Sequence, residues 1–430
     1  MSRIPPHKQI GALTLLPLAA ALGVHLFPFD IAGVNVFGFR ALVLLLVAWG
    51  ITQRRWRTPV SRTGFRYLLF LSFWIGWAIL SLSWAPELKA GVRAVFLLLL
   101  ALLVGVAALS PIRDPARAFC HLRWGWVLAY VVSIAIATWE VQSGQHLAGT
   151  SGMVDRFGRQ KELGLYATFG NPNNFGAFIV LAFPFLLYSI ATTRSWIIRG
   201  LLIALLPTTL VFMSLANCRA GLVGLVVEVG AFYFLRVNRG GRSLLVPIAF
   251  TLVLGAGAFF AQETVLALFD STLALRDQFE GRSSVSIRYN LSYNGLWFLA
   301  QTYGAGVGAG GFSICLETWA TPKTTYGTLD PHNFVIEVLS QYGVLVTAAG
   351  ALWILALARL AWRKRTDPKR QDLAEFTLVA LTGYAVACVA NSSYLISSTN
   401  WTFLATFLPL CNVLEGTKKR KPKGSRACTS

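Results

Sequence analysis

Charge is what this sequence has least of. Only 13% of its 430 residues are Asp, Glu, Lys or Arg, whereas 55% are hydrophobic and the mean hydropathy is +0.59. An ordinary soluble domain carries roughly a quarter charged residues. A fold with so few cannot cover itself in water, so the bilayer is the solvent this composition requires. Acidic side chains are scarcer still, 18 against 38 Lys and Arg, for a formal net charge of +20. In a soluble chain that excess would point to nucleic acid. In an apolar chain it is the signature of positive-inside orientation, and no nucleic-acid partner is expected. Cysteine is sparse, with six residues and no zinc spacing among them. Cys218 and Cys315 fall in segments expected outside the cytoplasm, but the tight turn at Cys218 disfavours the specific geometry a disulfide needs. There is no paired-aspartate DxD motif for a divalent ion and no G-x-S-x-G nucleophile elbow. No metal or cofactor is expected. Nor does the first apolar run end in an evident small-residue cleavage site, so it reads as a retained helix.

What is present is a series of long apolar runs. A spanning helix takes about 20 apolar residues. On that measure the chain is expected to be an all-α polytopic membrane protein with about twelve spans, near 10–27, 32–51, 67–84, 91–110, 124–140, 173–191, 200–215, 220–236, 244–262, 334–358, 375–391 and 399–415. Their connections test the direction of crossing. With the N-terminus inside, the cytoplasmic segments collect Arg54, Arg55, Arg57, Arg62 and Arg66, then Arg113, Arg117 and Arg123, then Arg236, Arg239 and Arg242. The series ends on Arg359 to Arg370 and the basic tail at 416–430. This bias places both termini in the cytoplasm. The whole of 1–430 reads as one integral membrane domain. Two extracytoplasmic segments are long, 141–172 and 263–333, the larger lying between spans nine and ten. Function is expected on these loops, because a helical scaffold can fix them.

Several residues there carry chemistry, each beside a plainer role. Arg219 stands in the tight turn between two spans, where a positive charge is not asked for by orientation; it suits a phosphate or a lipid head group. Ser286 to Ala300 carries Ile287, Leu291, Leu296, Trp297 and Leu299, which suggests an amphipathic helix along the membrane with Arg288 near its start. The run Gly304–Gly311 contains G-x-G-x-x-G spacing, but no strand–helix unit surrounds it, so a dinucleotide site is excluded. A turn that lets backbone approach a substrate or a neighbouring helix fits better. His332 precedes the span that begins at Phe334, so it is either a neutral general base near pH 7 or an interfacial residue capping the helix. Asn173 and Asn174 stand where a helix cap is expected. Arg156, Arg159 and Lys161 offer positive charge in the first long loop. Arg40 and Glu228 fall within expected spans, with no partner evident for either.

The order of these motifs on one face is familiar. An arginine in the turn "SLANCRAG", "SIRYNLSYNGLWF" leading to "YGAGVGAGGF", and then "DPHNFVIEVLSQYGV" resemble the O-antigen ligase and polymerase superfamily of bacterial envelope glycosyltransferases. The resemblance implies a GT-C-like fold in the bacterial inner membrane with a periplasmic active site. It implies transfer of O-antigen from undecaprenyl pyrophosphate to lipid A–core oligosaccharide, without metal or nucleotide sugar. His332, Arg288 and Arg219 match the family's catalytic residues. Tyr289 and Asn333 beside them, and Arg156, Arg159 and Lys161, are expected to bind substrate. An O-antigen polymerase on the same carrier is the alternative, and a protein O-oligosaccharyltransferase a third reading. A transporter would place its charges at the bilayer midplane; here they gather at one face.

Overall fold

The computed structural model describes residues 11–27, 29–31, 34–52, 60–109, 114–147, 165–216, 218–237, 239, 284–390 and 394–416. Among them the helices are α1 (Leu15–Leu22), α2 (Gly38–Thr52), α3 (Arg62–Ser81), α4 (Leu88–Leu109), α5 (Pro115–Ser143), α6 (Pro172–Thr192), α7 (Trp196–Leu215), α8 (Arg219–Val237), α9 (Ser284–Gln301), α10 (Gly311–Thr318), α11 (Phe334–Lys364), α12 (Gln371–Ala390) and α13 (Ser398–Glu415). Eight of these are long and apolar enough to cross a membrane, and α1 and α2 are shorter apolar helices. The chain is an all-α polytopic membrane protein.

Local sequence explains where several helices start. Ser61, Asp114, Asn171, Ser195, Asn333 and Ser397 each turn a side-chain oxygen onto the backbone amides of the first turn. Pro115 and Pro172 follow two of these caps, where a missing N–H costs nothing. At the end opposite His332, the Glu415 carboxylate accepts from the amides of Arg62 and Thr63 at 2.8 and 2.9 Å, a second cap for α3. At that same end Arg239 pairs with Asp372 and Glu375, tying α8 to α12.

Burial sorts the helices into an inner and an outer set. From Phe175 to Leu187 every residue of α6 is buried, and α13 is buried along almost its whole length. A helix apolar all round belongs inside a bundle. Trp126 of α5 stacks on Phe185 of α6, with ring centroids 5.2 Å apart. Two polar groups of α13 are satisfied inside the bundle: Thr406 accepts from the Trp126 indole at 3.1 Å, and Asn400 accepts from the Tyr384 hydroxyl at 3.1 Å. The outer helices instead expose large apolar side chains, among them Leu45, Leu201 and Leu352, which suits lipid and not water.

The expected spans are recovered with adjustments. Eleven fall on helices; the ninth, 244–262, lies outside the described residues. So do the basic tail from 417 onward and the parts of the long loops at 148–164 and 263–283. The second span begins later than expected, at Gly38 and not near 32, because Phe29–Ile31 and Val34–Val36 pair as a short antiparallel hairpin. β-Branched Val34 and Val36 favour that extended form. The cap of α6 is Asn171, not Asn173 or Asn174: Pro172 takes the first helical position, and Asn173 gives its backbone amide to Asn171 at 2.8 Å.

Candidate active site

One break in a helix organises the face that carries His332. Gly343 has φ +78° and ψ −174° inside α11, which divides it into 334–342 and 344–364. In a continuous helix the Val344 and Leu345 amides would bond the Ser340 and Gln341 carbonyls. Here the glycine-rich loop supplies the partners. Val307 donates to Ser340 O at 2.8 Å, Gly308 donates to Gln341 O at 3.0 Å, and Val344 donates to Gly304 O at 3.0 Å. A Cβ at Gly306 would lie 2.6 Å from the Gln341 carbonyl, so only glycine permits this approach. The loop's other side meets the α3–α4 connection, where Trp84 donates to Gly306 O and Ala309 donates to Ser81 Oγ, both at 3.0 Å. Of the two roles the sequence allowed for this loop, contact with a neighbouring helix is the one the structure contains.

Helices α9 and α10 build a small cap with its own core, Leu291, Phe298, Val307, Phe312 and Cys315. The expected amphipathic helix is present over Ser284–Gln301, but its apolar residues do not share one face. Leu291 is buried and Leu296 is 49% exposed, as five residues of helix turn them far apart. Asn294, also buried, holds the following loop through both ends of its amide, accepting from Lys323 N at 3.1 Å and donating to Lys323 O at 2.7 Å. Asn290 donates to Thr324 O at 2.9 Å.

This packing sets Arg288 and His332 toward the same end of two parallel segments. A Cβ at Gly295 would meet Ile336 and Ser340 of α11, and nine residues further on Gly304 bonds Val344. The two segments therefore run in the same direction. Arg288 lies seven residues before Gly295, about 10 Å at 1.5 Å per residue. α11 begins at Phe334, so His332 lies just before the corresponding end of that helix. Arg288 also precedes by one turn the row Leu291–Gly295–Phe298 that faces the cap's interior.

Arg219 opens α8, whose start packs on the first turns of α6. Cys218 is fully buried, packed on Gly176 in the first turns of α6, and Arg219 beside it is exposed. Burial pushes the Cys218 thiol up, while the Gly221 amide and the Arg288 charge pull it the other way. Cys218 and Cys315 are both free and buried, and burial pushes the Cys315 thiol up to about 11.

His332 sits in left-handed backbone, φ +51°, a conformation that is strained for a residue with a Cβ. Asn333 after it caps α11, its Oδ1 accepting from Val335 N at 3.0 Å and Ile336 N at 3.2 Å. That commits the oxygen of Asn333 to the helix. Tyr289 is 62% exposed and packs on Tyr293. Arg156, Arg159 and Lys161 lie outside the described residues. Arg40 packs over the rings of Phe37 and Phe96, whereas Glu228 is buried against Gly383 of α12.

Glu337 and Glu140, both buried, were not singled out from sequence. Glu337, in the first segment of α11, accepts from the Tyr394 amide at 3.1 Å and so ties that segment to the start of α13. Glu140, at the end of α5, accepts from Ala167 N at 2.7 Å and Tyr166 N at 3.3 Å, and pairs with His146 Nδ1 at 2.9 Å. An acid at the end of an otherwise apolar run was the available signal in both cases. Among the described residues no group of three or more His, Cys, Asp or Glu is placed to hold a metal ion.

The family model described as O-Antigen ligase matches residues 202–351, a stretch that contains Arg219, Arg288, the glycine-rich loop and His332. The chain is also similar along its length to the teichuronic acid biosynthesis protein TuaE of Bacillus subtilis (strain 168). The two are 24% identical, over 96% of this chain and 93% of the relative.

Proposed function

We propose that this chain, whose residues 202–351 match the family model described as O-Antigen ligase, moves a glycan from a polyprenyl pyrophosphate to the hydroxyl of a second membrane lipid. In this reading the donor is undecaprenyl-pyrophosphate-linked O-antigen and the acceptor lipid A–core oligosaccharide. The face bearing His332 is periplasmic. What supports it is the place of Arg219, Arg288 and His332 near the starts of α8, α9 and α11, where no orientation rule asks for positive charge.

The chemistry follows from those three groups. The acceptor oxygen attacks the anomeric carbon, and the bond from that carbon to the pyrophosphate oxygen breaks. His332 takes the proton the acceptor hydroxyl gives up. Pyrophosphate leaves with the bonding pair, and the Arg219 and Arg288 guanidiniums hold its charge through bidentate, charge-assisted hydrogen bonds. A single displacement of this kind inverts the anomeric centre. The Gly304–Gly311 loop positions His332 and Arg288 together, because it locks the first segment of α11 beside α9.

The relative's name speaks of teichuronic acid and not of lipopolysaccharide. That keeps a second reading in view, polymerisation of repeat units on the same carrier. Purified protein in proteoliposomes with undecaprenyl-pyrophosphate glycan and lipid A–core separates the two. Glycosylated lipid A–core, formed without ATP, is the expected product. Longer carrier-linked glycan with untouched lipid A–core would replace the ligase reading by the polymerase one. Arg219→Lys and Arg288→Lys should each lose most of the rate, since ammonium lacks the planar fork; full activity in both would remove the bidentate contact.

A further inference from the structure

At the end of the bundle opposite His332, arginines from two helices close on one short turn. α6 starts beside Cys218, so its last residue, Thr192, lies at the far end. From α5, Arg123 donates through Nη1 to Thr192 Oγ1 at 3.1 Å. From the first turn of α7, Arg199 donates through Nη2 to the Thr193 carbonyl at 2.6 Å. Arg194, the next residue of the turn, is exposed. Two guanidiniums thus converge on adjacent residues, and both acceptors are neutral.

No carboxylate balances this corner. Among the described residues none of Arg123, Arg194 and Arg199 forms an ion pair. Asp372 and Glu375 of α12 are held by Arg236 and Arg239 instead. At the same turn Arg123 Nε and the Thr193 hydroxyl are buried without a hydrogen-bond partner. A buried donor left unpaired is costly, and one on a charged group more so. Orientation asks for positive charge at a cytoplasmic end, and exposed residues such as Arg62 and Arg66 meet it. It does not ask for a guanidinium drawn half-buried onto a turn, as Arg123 is.

The surroundings are those of a lipid surface. Arg123 lies over the Trp124 ring, 4.9 Å from its centre, and Trp196, which opens α7, is 81% exposed. Tryptophan belongs at the level of the head groups. Arg199, Ile203, Leu206 and Leu210 share one face of α7, with Ile203 and Leu210 exposed beyond the charge. A phosphate resting on Arg199 would have its acyl chains continue along that face. With no acid in the corner, the ammonium of a zwitterionic lipid gains no partner, whereas a second anionic group costs nothing. We propose that Arg123, Arg194 and Arg199 bind the phosphate of an anionic glycerophospholipid, whose chains lie along Ile203 and Leu210. Only Leu202 is buried in the first three turns of α7. The lipid fastens that end to α5 and α6, while the other end of α7 leads into the turn that carries Arg219. This site is independent of the transfer reading, since it shares no residue with the groups around His332.

The test uses the full-length protein in phosphatidylcholine nanodiscs, with phosphatidylglycerol added in steps and the bound lipid counted by native mass spectrometry. The double variant R123Q/R199Q should bind phosphatidylglycerol about thirtyfold more weakly than wild type. Arg199→Gln alone changes an exposed side chain and leaves the Arg123 contact in place; it should cost about fivefold. R62Q/R66Q removes as much charge from the same end and should keep the wild-type affinity. Phosphatidylglycerol should also raise the unfolding temperature of wild type and of R62Q/R66Q, but not of R123Q/R199Q. Unaltered binding in R123Q/R199Q and Arg199→Gln overturns the proposal. An equal loss in R62Q/R66Q does so too, because the attraction would then be diffuse. Wild type that holds phosphatidylcholine as tightly as phosphatidylglycerol removes the anionic head group. Displacement of the lipid by millimolar inorganic phosphate would make the corner a site for a soluble anion and not for a lipid.

Discussion

The amide of Val344 donates to the carbonyl of Gly304 at 3.0 Å, across the point where α11 breaks. In an unbroken helix that amide would have bonded Ser340, whose carbonyl takes Val307 instead. The loop and the broken helix therefore complete each other. A Cβ at Gly343 would sit 2.2 Å from Gly304 O, in backbone of φ +78°; one at Gly304 would find its nearest neighbour, Val344, at 3.6 Å. Gly304→Ala should cost only the left-handed strain, roughly 1–2 kcal/mol. Gly343→Ala adds a backbone clash and should cost more, with loss of transfer. Thermal unfolding in detergent ranks the two, and equal destabilisation would mean that the junction yields more than its contacts indicate.

His332 offers a separation of strain from chemistry. Its φ of +51° is uncomfortable for histidine and easy for glycine. His332→Gly should unfold no earlier than His332→Ala, and both should lose about 10² to 10⁴ in transfer rate if the imidazole is the base. Thermal unfolding and a single-turnover assay on the same preparations read both effects. A glycine variant that keeps its rate would remove His332 from the reaction and leave it as a turn residue.

Legibility followed the solvent. Spans such as 173–191 and 200–215 announce themselves because lipid demands an unbroken apolar run, whatever packs against it. Arg219, Arg288 and His332 were visible because each is a polar residue where lipid would prefer none. What stayed hidden depends on partners distant in sequence. Nothing near Gly343 says that Gly304 will supply its missing acceptor, and nothing near Glu140 names Ala167. Leu291 and Leu296 looked alike as apolar residues until the cap's interior claimed one and left the other outside. The hairpin at 29–36 was masked by its own apolar composition, which serves a short strand as well as a helix start.

Glu140 supplies the last test, at the other long loop. Its carboxylate holds the Ala167 amide at 2.7 Å, the Tyr166 amide at 3.3 Å and His146 at 2.9 Å, and only 3% of the residue is exposed. His146 in turn stacks on Tyr166, with ring centroids 4.3 Å apart, and the neighbouring Thr168 hydroxyl donates to Ala21 O at 2.6 Å. The carboxylate is therefore the hub that fastens the end of this loop onto α1 and α5. Glu140→Ala strands two amides and should cost about 1–3 kcal/mol. His146→Ala leaves both amides bonded and should cost less. Hydrogen exchange makes the distinction residue by residue: the Tyr166 and Ala167 amides should exchange faster in Glu140→Ala and keep their protection in His146→Ala. If both variants lose that protection equally, the hub is the histidine stack and not the carboxylate.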